Sequence, residues 1–520
     1  MTLPQADIFF DQLKHHGSPM YNVGGYIQLG DVDVQRLREA HRDLVESCDI
    51  FGLRVVANDA GVFQYCSGVR DHALELIDLS AEPAPGDAAD AWLRRLFEQP
   101  LPYEDAPLFR AYLVKLGDAD HRYVGVAHHM MMDGWGFRNW GRVLATLYAG
   151  GTVHQPLADW IEVSADDRAY LASPRFEHDR TYWLGQSGER RFLPAHHGAA
   201  GAGTAGGRVV APIPADAMSA LHAVARETGA GVGTVLTHLV GMYLARSYGQ
   251  RSLVIGVPVH NRRNRAHKEM LGVFASITPV GIDFPADATW RDGIAELAKQ
   301  QRRNLRHQRF PLGELVSAYA GTAPTSDAPF DVLVNYLALP GDLRFGGSPA
   351  RLVYVPNHHE KSTLAVTLWQ DGDLGAAELQ LDYHSTHFRG DEARALVRRL
   401  IAMIEPLPGQ LDARIGAVDL LPPGEREQVV RGWNATAAAY PSERCIHQLF
   451  EAQAARTPAS PALVCGDARL SYGELDAAAN RVAHGLRARG VGPDVVVGLC
   501  MERSVEMVVG LWGILKAGGA

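Results

Sequence analysis

Cysteine is scarce in this chain and badly placed for pairing. Cys48, Cys66, Cys445, Cys465 and Cys500 are scattered through 520 positions without CxxC spacing. Neither a disulfide framework nor a thiolate zinc site is expected, and a reducing cytoplasm is the expected location. An excess of positive charge is also absent. Fifty basic residues face 59 acidic ones, for a formal charge of −9, so nothing electrostatic favours nucleic acid or an anionic membrane as partner. The opening MTLPQADIFFDQL contains Asp7 and Asp11 but no basic cluster, unlike a signal peptide. No uninterrupted apolar run is long enough to span a bilayer. The histidine pairs lack the HxxxH spacing that puts two ligands on one helical face, so no metal site is expected.

What is present is the composition of a globular protein, 47% hydrophobic and 21% charged. A chain of this length exceeds one hydrophobic core, and domain sizes predict about three units, or two large ones and a fragment. Helical and extended patterns alternate from the start, which predicts a mixed α+β layer architecture. Residues 5–13 pattern as a short amphipathic helix and residues 21–29 as a strand, in which Gly24-Gly25 marks a bulge or a close backbone approach. Leu37, Ala40, Leu44, Val45 and Cys48 recur at helical spacing behind Asp31 or Asp33 as cap. Residues 53–56 read as the next strand. Around residues 192–207 the sequence becomes FLPAHHGAAGAGTAGG, a linker or loop between two halves. Beyond it, residues 217–227 and 235–248 pattern as helices, and 252–259 and 330–339 as strands; Leu379, Leu381 and Tyr383 alternate with polar neighbours. A second break begins near Leu421-Pro422-Pro423-Gly424, and the residues after it read as the opening of a further domain.

One stretch stands apart. Residues 123–137 read YVGVAHHMMMDGWGF: a buried-strand pattern, then His128 and His129, three methionines, and Asp133-Gly134. Gly134 and Gly136 mark a turn, and Phe137, Trp140, Leu144, Leu147 and Tyr148 then fall at helical spacing until Gly150-Gly151. A single histidine on a strand is ordinarily a satisfied core residue, and consecutive methionines are ordinarily core filling. HHxxxDG fixes more positions than coincidence readily supplies. An imidazole can exchange a proton near neutral pH, and a carboxylate four or five residues on can anchor the loop through an ion pair. The pairs His15-His16, His196-His197 and His358-His359 lack the downstream Asp-Gly and read as solvated or structural.

His128-His129-Met130-Met131-Met132-Asp133-Gly134 resembles the signature of nonribosomal peptide synthetase condensation domains, relatives of chloramphenicol acetyltransferase. In order and spacing, Ile255 to Arg262 (IGVPVHNR) looks like the family's strand and basic loop. Leu271-Gly272-Val273-Phe274 is similar to its GxF motif, His307-Gln308-Arg309-Phe310-Pro311 to HQxxP, and residues 330–336 to its late FxxxxNY strand. Residues 470–475 resemble the LTYxEL motif of adenylation domains, and Leu515-Lys516-Ala517-Gly518 their LKAG motif. The resemblance implies two acetyltransferase-like lobes in a V-shaped pseudo-dimer, residues 1–185 and 186–421. A linker, 422–445, and the N-terminal fragment of an adenylation domain, 446–520, would follow. It also implies a tunnel between the lobes, here with Trp135 and Asn335 as lining candidates, and aminolysis of an acyl thioester by an aminoacyl carrier's α-amine. The site would comprise His129 as base or positioning partner, His128 and Asp133 holding the loop, Gly134 helping to hold the oxyanion, and Arg262 from the other lobe paired with Asp133. No intrinsic cofactor is implied; carrier partners bring 4′-phosphopantetheine.

Subtype follows from departures. Heterocyclising relatives have two aspartates in the histidine motif, which are missing here. Epimerising relatives do not normally precede an adenylation domain. Dual epimerising and condensing types carry an additional N-terminal histidine motif, for which His15-His16-Gly17 is too short. The usual SxAQxxLW opening is altered to Leu3-Pro4-Gln5-Ala6-Asp7-Ile8-Phe9-Phe10. The condensation motifs begin almost at Met1, an arrangement that resembles starter domains, which take a fatty acyl group from acyl-coenzyme A (acyl-CoA). The expected partners are therefore acyl-CoA, a downstream aminoacyl carrier and the chain's own adenylation domain. The alternatives are an elongating domain fed by a separate polypeptide and, in another class, a non-catalytic recruitment module, which would tend to lose the HHxxxDG residues kept here.

Overall fold

The computed structural model describes all residues except 60, 154–159, 187–205, 320–328, 340–342, 360–361 and 373–374. The glycine-rich stretch expected as a linker lies almost wholly outside the described residues, as do His196 and His197. The chain divides into two compact units, Met1–Pro423 and Gly424–Ala520.

The first unit is built on two sheets. One is five-stranded in the order Arg351–Tyr354, Asn22–Leu29, Asp120–His128, Phe109–Gly117, Leu74–Asp78. Its neighbours are antiparallel except the last pair, which is parallel. Period-two alternation sends Tyr123 and Ala127 into a core with Leu37, Leu44 and Trp140, while Val124 and Val126 meet Leu93 and Phe97 on the opposite face. The strand Asp120–His128 is therefore covered on both sides, which is why it carries an unbroken apolar run. The helix expected over the Leu37 stretch is Val34–Ser47, and Asp33 is its cap, accepting from Arg36 N at 3.0 Å.

The strand Arg351–Tyr354 lies far along the chain, inside the stretch expected to form the second lobe, yet completes the first sheet. Its docking explains Gly24-Gly25. A Cβ on Gly25 would lie 1.9 Å from Val353 O, and one on Gly24 2.1 Å from Gly125 O. Of the two expected options, the structure takes close backbone approach, and on both sides of the strand.

The second sheet has six strands in the order Gly206–Ile213, Ala377–His384, Leu364–Asp371, Val332–Leu339, Ser252–Val259, Ser276–Asp283. Val332–Leu339 runs parallel to both of its neighbours. The helices Ala215–Thr228, Val232–Ser247, Trp290–Asn304 and Gly390–Ile404 contribute to its core, with Leu221, Leu239, Trp290 and Leu400 fully buried.

The second unit contains the helices Ile446–Arg456, Tyr472–Arg487 and Val505–Ala517 and the hairpin Pro461–Cys465/Ala468–Ser471. Ser471 and Glu474 form a reciprocal capping box. Lys516 Nζ is buried among Glu451 Oε1 (2.8 Å), Asp476 Oδ1 (2.6 Å) and Asn480 Oδ1 (2.7 Å).

Candidate functional site

The strand Asp120–His128 delivers two imidazoles to its end, and the backbone separates their fates. His128 is buried between Tyr21 and Tyr103. Its Nδ1 accepts from Met130 N at 3.2 Å, which leaves Nε2 as the protonated nitrogen facing Gln12 Oε1 at 3.3 Å. Burial, with the His129 charge as a lesser cause, pushes its pKa down to about 3, so the ring stays neutral and fully engaged. His129 is only partly buried. Its backbone N–H donates to Tyr21 O at 2.8 Å, and its Nδ1 is buried without a hydrogen-bond partner among the described residues. Burial lowers its basicity, against smaller opposing pulls from a backbone hydrogen bond and from the Asp133 charge.

Met130, Met131 and Met132 are completely buried in the first core, the packing role expected of them. Gly134 and Gly136 do not precede the next helix as a turn. They are its first and third residues, because the helix runs Gly134–Tyr148 with Asp133 as N-cap. A Cβ on Gly136 would fall 2.6 Å from Met132 Sδ and 2.7 Å from Gly272 O, so this helical turn is pressed against the GxF segment.

Asp133 is the most densely bonded side chain of the site. Oδ1 accepts from Gly136 N (2.7 Å) and Arg262 Nη2 (3.0 Å). Oδ2 accepts from Arg262 Nη1 (2.7 Å), Phe274 N (2.9 Å) and Ala275 N (3.0 Å). Burial alone would raise its pKa; the Arg262 charge, with the hydrogen bonds from Arg262 and the backbone, outweighs it and holds the carboxyl below the usual range. Arg262 spends its remaining donors on His267 O and Gly272 O, each at 3.0 Å. The bidentate pair is buried, with side-chain exposures of 0% and 2%.

The two expected tunnel residues lie on different elements, Trp135 in the helix Gly134–Tyr148 and Asn335 in the strand Val332–Leu339. Trp135 donates to Lys268 O at 2.8 Å and lies 3.9 Å beneath the Arg138 guanidinium. Asn335 sits mid-strand opposite Thr367 in the second sheet. His307 of the HQxxP stretch meets Asp179 Oδ1 at 2.7 Å and stacks on Tyr182 with centroids 3.9 Å apart. His178, Asp179 and His307 place potential metal-ligating atoms within 4.8 Å of one another. Asp179, however, is already engaged by His307, by Arg175 at 2.9 Å and by Tyr170 OH at 2.8 Å. An arginine against the carboxylate suits a polar tie better than a cation site.

Sequence reasoning missed the residues that hold the loop from outside. Gln5 donates to Met130 O at 3.0 Å, Tyr354 OH donates to Gly134 O at 2.8 Å, and Asn357 grips the backbone around Tyr21.

Known proteins resemble the chain over most of its length. The condensation domain family model matches residues 1–430, and the AMP-binding enzyme model matches residues 450–520. Bacitracin synthase 1 of Bacillus licheniformis is 28% identical over 507 residues, and the dimodular nonribosomal peptide synthase of Bacillus subtilis 26% identical over 533. These matches cover 96% and 100% of this chain but only 10% and 22% of those proteins. Among solved structures, a variant of the starter condensation domain of rhizomide synthetase in complex with C8-CoA superposes with a TM-score of 0.74 at 23% identity, covering 81% of this chain and 97% of that one. The first condensation domain of the calcium-dependent antibiotic synthetase, with a substrate analogue, gives 0.72 at 22%, covering 81% and 98%. The shared fold is the mixed α+β, acetyltransferase-like one. The chain belongs to the condensation domain family of amide-forming enzymes, as the condensation domain of a nonribosomal peptide synthetase followed by the start of an AMP-binding domain.

Proposed function

We propose that this condensation domain N-acylates the aminoacyl group of a downstream carrier, taking the acyl group from acyl-CoA and so beginning a lipopeptide. The observation that carries a catalytic reading is the asymmetry of the two imidazoles. His128 has both nitrogens occupied, whereas His129 is partly exposed and its Nδ1 has no hydrogen-bond partner among the described residues. In the reaction the carrier's α-amine attacks the thioester carbonyl, a C–N bond forms, the C–S bond breaks, and the thiol leaves with a proton. The N–H groups of Gly134 and Trp135 open a helix and so lack intrahelical acceptors, which supports them as donors to the developing oxyanion.

Burial leaves His129 neutral at physiological pH but a weaker base than free imidazole. General-base catalysis is most efficient with a pKa near the working pH. The depressed basicity therefore favours His129 as the group that orients the amine, with most acceleration coming from alignment of two tethered reactants. Support for an acyl-CoA donor comes from the likeness to starter domains solved with C8-CoA. The carrier partner follows from the family, and the five free cysteines suit the reducing cytoplasm proposed as its setting.

The test is to mix the purified chain with octanoyl-CoA and an aminoacyl carrier and follow N-acyl product by mass spectrometry. Product from the CoA thioester is expected. Product only from an acylated carrier would overturn the starter assignment in favour of elongation, and none from either donor would overturn the catalytic reading.

A further inference from the structure

The segment from Arg351 to Asn357 belongs to the later half of the chain but reaches the histidine loop from two directions. As a strand, it pairs along Asn22–Leu29 from Gln28↔Arg351 to Gly25↔Tyr354, and Val355 N continues onto Gly24 O at 3.1 Å. At one contact, Tyr354 OH donates to Gly134 O at 2.8 Å, at the residue directly after Asp133. The Tyr354 ring is wedged between Phe137 and Trp369, at centroid distances of 5.5 and 4.5 Å, so the hydroxyl has a fixed direction.

At the other contact, Asn357 Nδ2 lies 2.8 Å from Met20 O, 3.1 Å from Asn22 O and 3.2 Å from Pro19 O. Two amide hydrogens are thus shared among three carbonyls. Asn357 Oδ1 accepts from His359 N at 3.0 Å, which fixes which end of the amide points at the carbonyls. The gripped carbonyls bracket Tyr21, and Tyr21 O is the acceptor for His129 N–H at 2.8 Å. The Tyr21 ring also meets the His129 ring edge-on, at 6.3 Å. One crossing segment therefore supports the backbone on both sides of His129.

We propose that Asn357 and Tyr354 are positioning residues for His129, tying the imidazole loop to the segment that crosses from the second half of the chain. This rests on the catalytic reading of His129 given above. Each acts through backbone that sets where the ring lies. A displacement of about 1 Å costs on the order of 10²-fold in rate, so loss of one anchor out of two is expected to reduce kcat by roughly 10- to 100-fold while KM changes little.

The experiment compares wild type with Asn357→Ala, Asn357→Asp, Tyr354→Phe and the control Glu378→Gln, which removes the charge of the exposed pair with Arg351. Two readouts are taken on the full chain: the imidazole NMR signal of His129, assigned with His129→Gln, and kcat and KM for N-acyl product formation. The His129 signal is expected to shift in the three anchor variants and stay fixed in the control. Tyr354→Phe keeps the ring packing, so its folding midpoint is expected to stay near wild type while kcat falls. Asn357→Asp turns a donor into an acceptor against three carbonyls and is expected to be the worst of the set. An unmoved His129 signal with unchanged kcat overturns the proposal. So does a rate loss that only tracks the folded fraction with the signal in place. If wild type forms no product, the catalytic reading fails by itself, and the NMR comparison still decides whether the segment positions the ring.

Discussion

Replacing Asp133 probes the most heavily committed group in the site, and the structure sets the size of the effect. Asp133→Ala leaves the Arg262 guanidinium fully buried without its counterion and leaves the N–H groups of Gly136, Phe274 and Ala275 without an acceptor. Removing one partner of a buried pair costs about 3–5 kcal/mol, and each orphaned buried donor about 1–3 kcal/mol. Against a typical total of about 5–15 kcal/mol, the alanine variant is expected to yield little soluble protein. Asp133→Asn preserves shape but sets an amide hydrogen against existing donors, and a loss of about 3–5 kcal/mol is expected from urea unfolding followed by far-UV circular dichroism. The exposed pair Arg265–Glu269, with side-chain exposures of 93% and 51%, is the internal comparison. Pairs of that kind contribute about 0–1 kcal/mol, so Glu269→Gln should leave the midpoint almost unmoved. Adding Arg262→Met to Asp133→Asn removes the stranded charge, and the double variant should lose about 2–3 kcal/mol less than the sum of the singles. The Asp133 pKa is depressed in the folded state, so its contribution is complete above the unfolded value of about 3.9 and disappears as pH falls through the lower folded value. An Asp133→Asn variant as stable as Glu269→Gln, or strictly additive losses in the cycle, would refute the reasoning.

Three further outcomes follow from groups elsewhere in the first unit. His129→Ala should lower single-turnover product formation by about 10²-fold with an unchanged urea midpoint, since losing the group that orients the amine misaligns the reactants; an active His129→Ala protein would remove the assignment. His238 is wholly buried between Phe284 and Trp290, and both ring nitrogens lack partners among the described residues. His238→Leu should therefore raise the unfolding midpoint, by about 1–2 kcal/mol in stability if the neighbours accept the new shape. Burial pushes the His238 pKa to about 3, so the wild type should lose stability relative to the variant as pH falls from about 6.5 to about 3. Asp7 behaves oppositely. Its carboxylate accepts from Leu312 N and Gly313 N at 3.1 and 3.0 Å, yet burial raises its pKa to about 7. The folded state thus holds this proton more tightly, and the associated stability, complete below about pH 4, is lost as pH rises through about 7. Asp7→Asn should abolish that slope, so that stability measured across about pH 4–8 converges on or overtakes wild type toward the alkaline end.

What the sequence made legible and what it hid divide along a physical line. Periodicity located about half of the strands of the two sheets, because burial selects apolar residues whatever they touch; the strand Ser252–Val259 matches its pattern to the residue. The Asp133–Arg262 pair was legible only through the family resemblance, since nothing in the spacing of two residues so far apart joins them. The identity of the helix cap was not. Gly134 and Gly136 signal a turn by composition, but in the fold Asp133 caps a helix that starts at once, and glycine is needed because Gly272 presses on that turn. The crossing strand was likewise invisible, since four residues by themselves have no signature, and the Gly24-Gly25 pair that receives it indicates a close approach without naming the approaching strand. The same holds for Tyr21, Tyr354 and Asn357. Each acts on backbone carbonyls or through its own carbonyl, and a backbone group has no residue type to recognise in a sequence. His129 is consequently named by a local motif but held by Tyr21 directly and by Tyr354 and Asn357 through backbone, and its geometry depends on a segment more than 200 positions away whose pattern carries no chemical mark. Variation in that segment should therefore alter the rate while leaving every motif intact, and screens of this family that follow motif residues alone would overlook it.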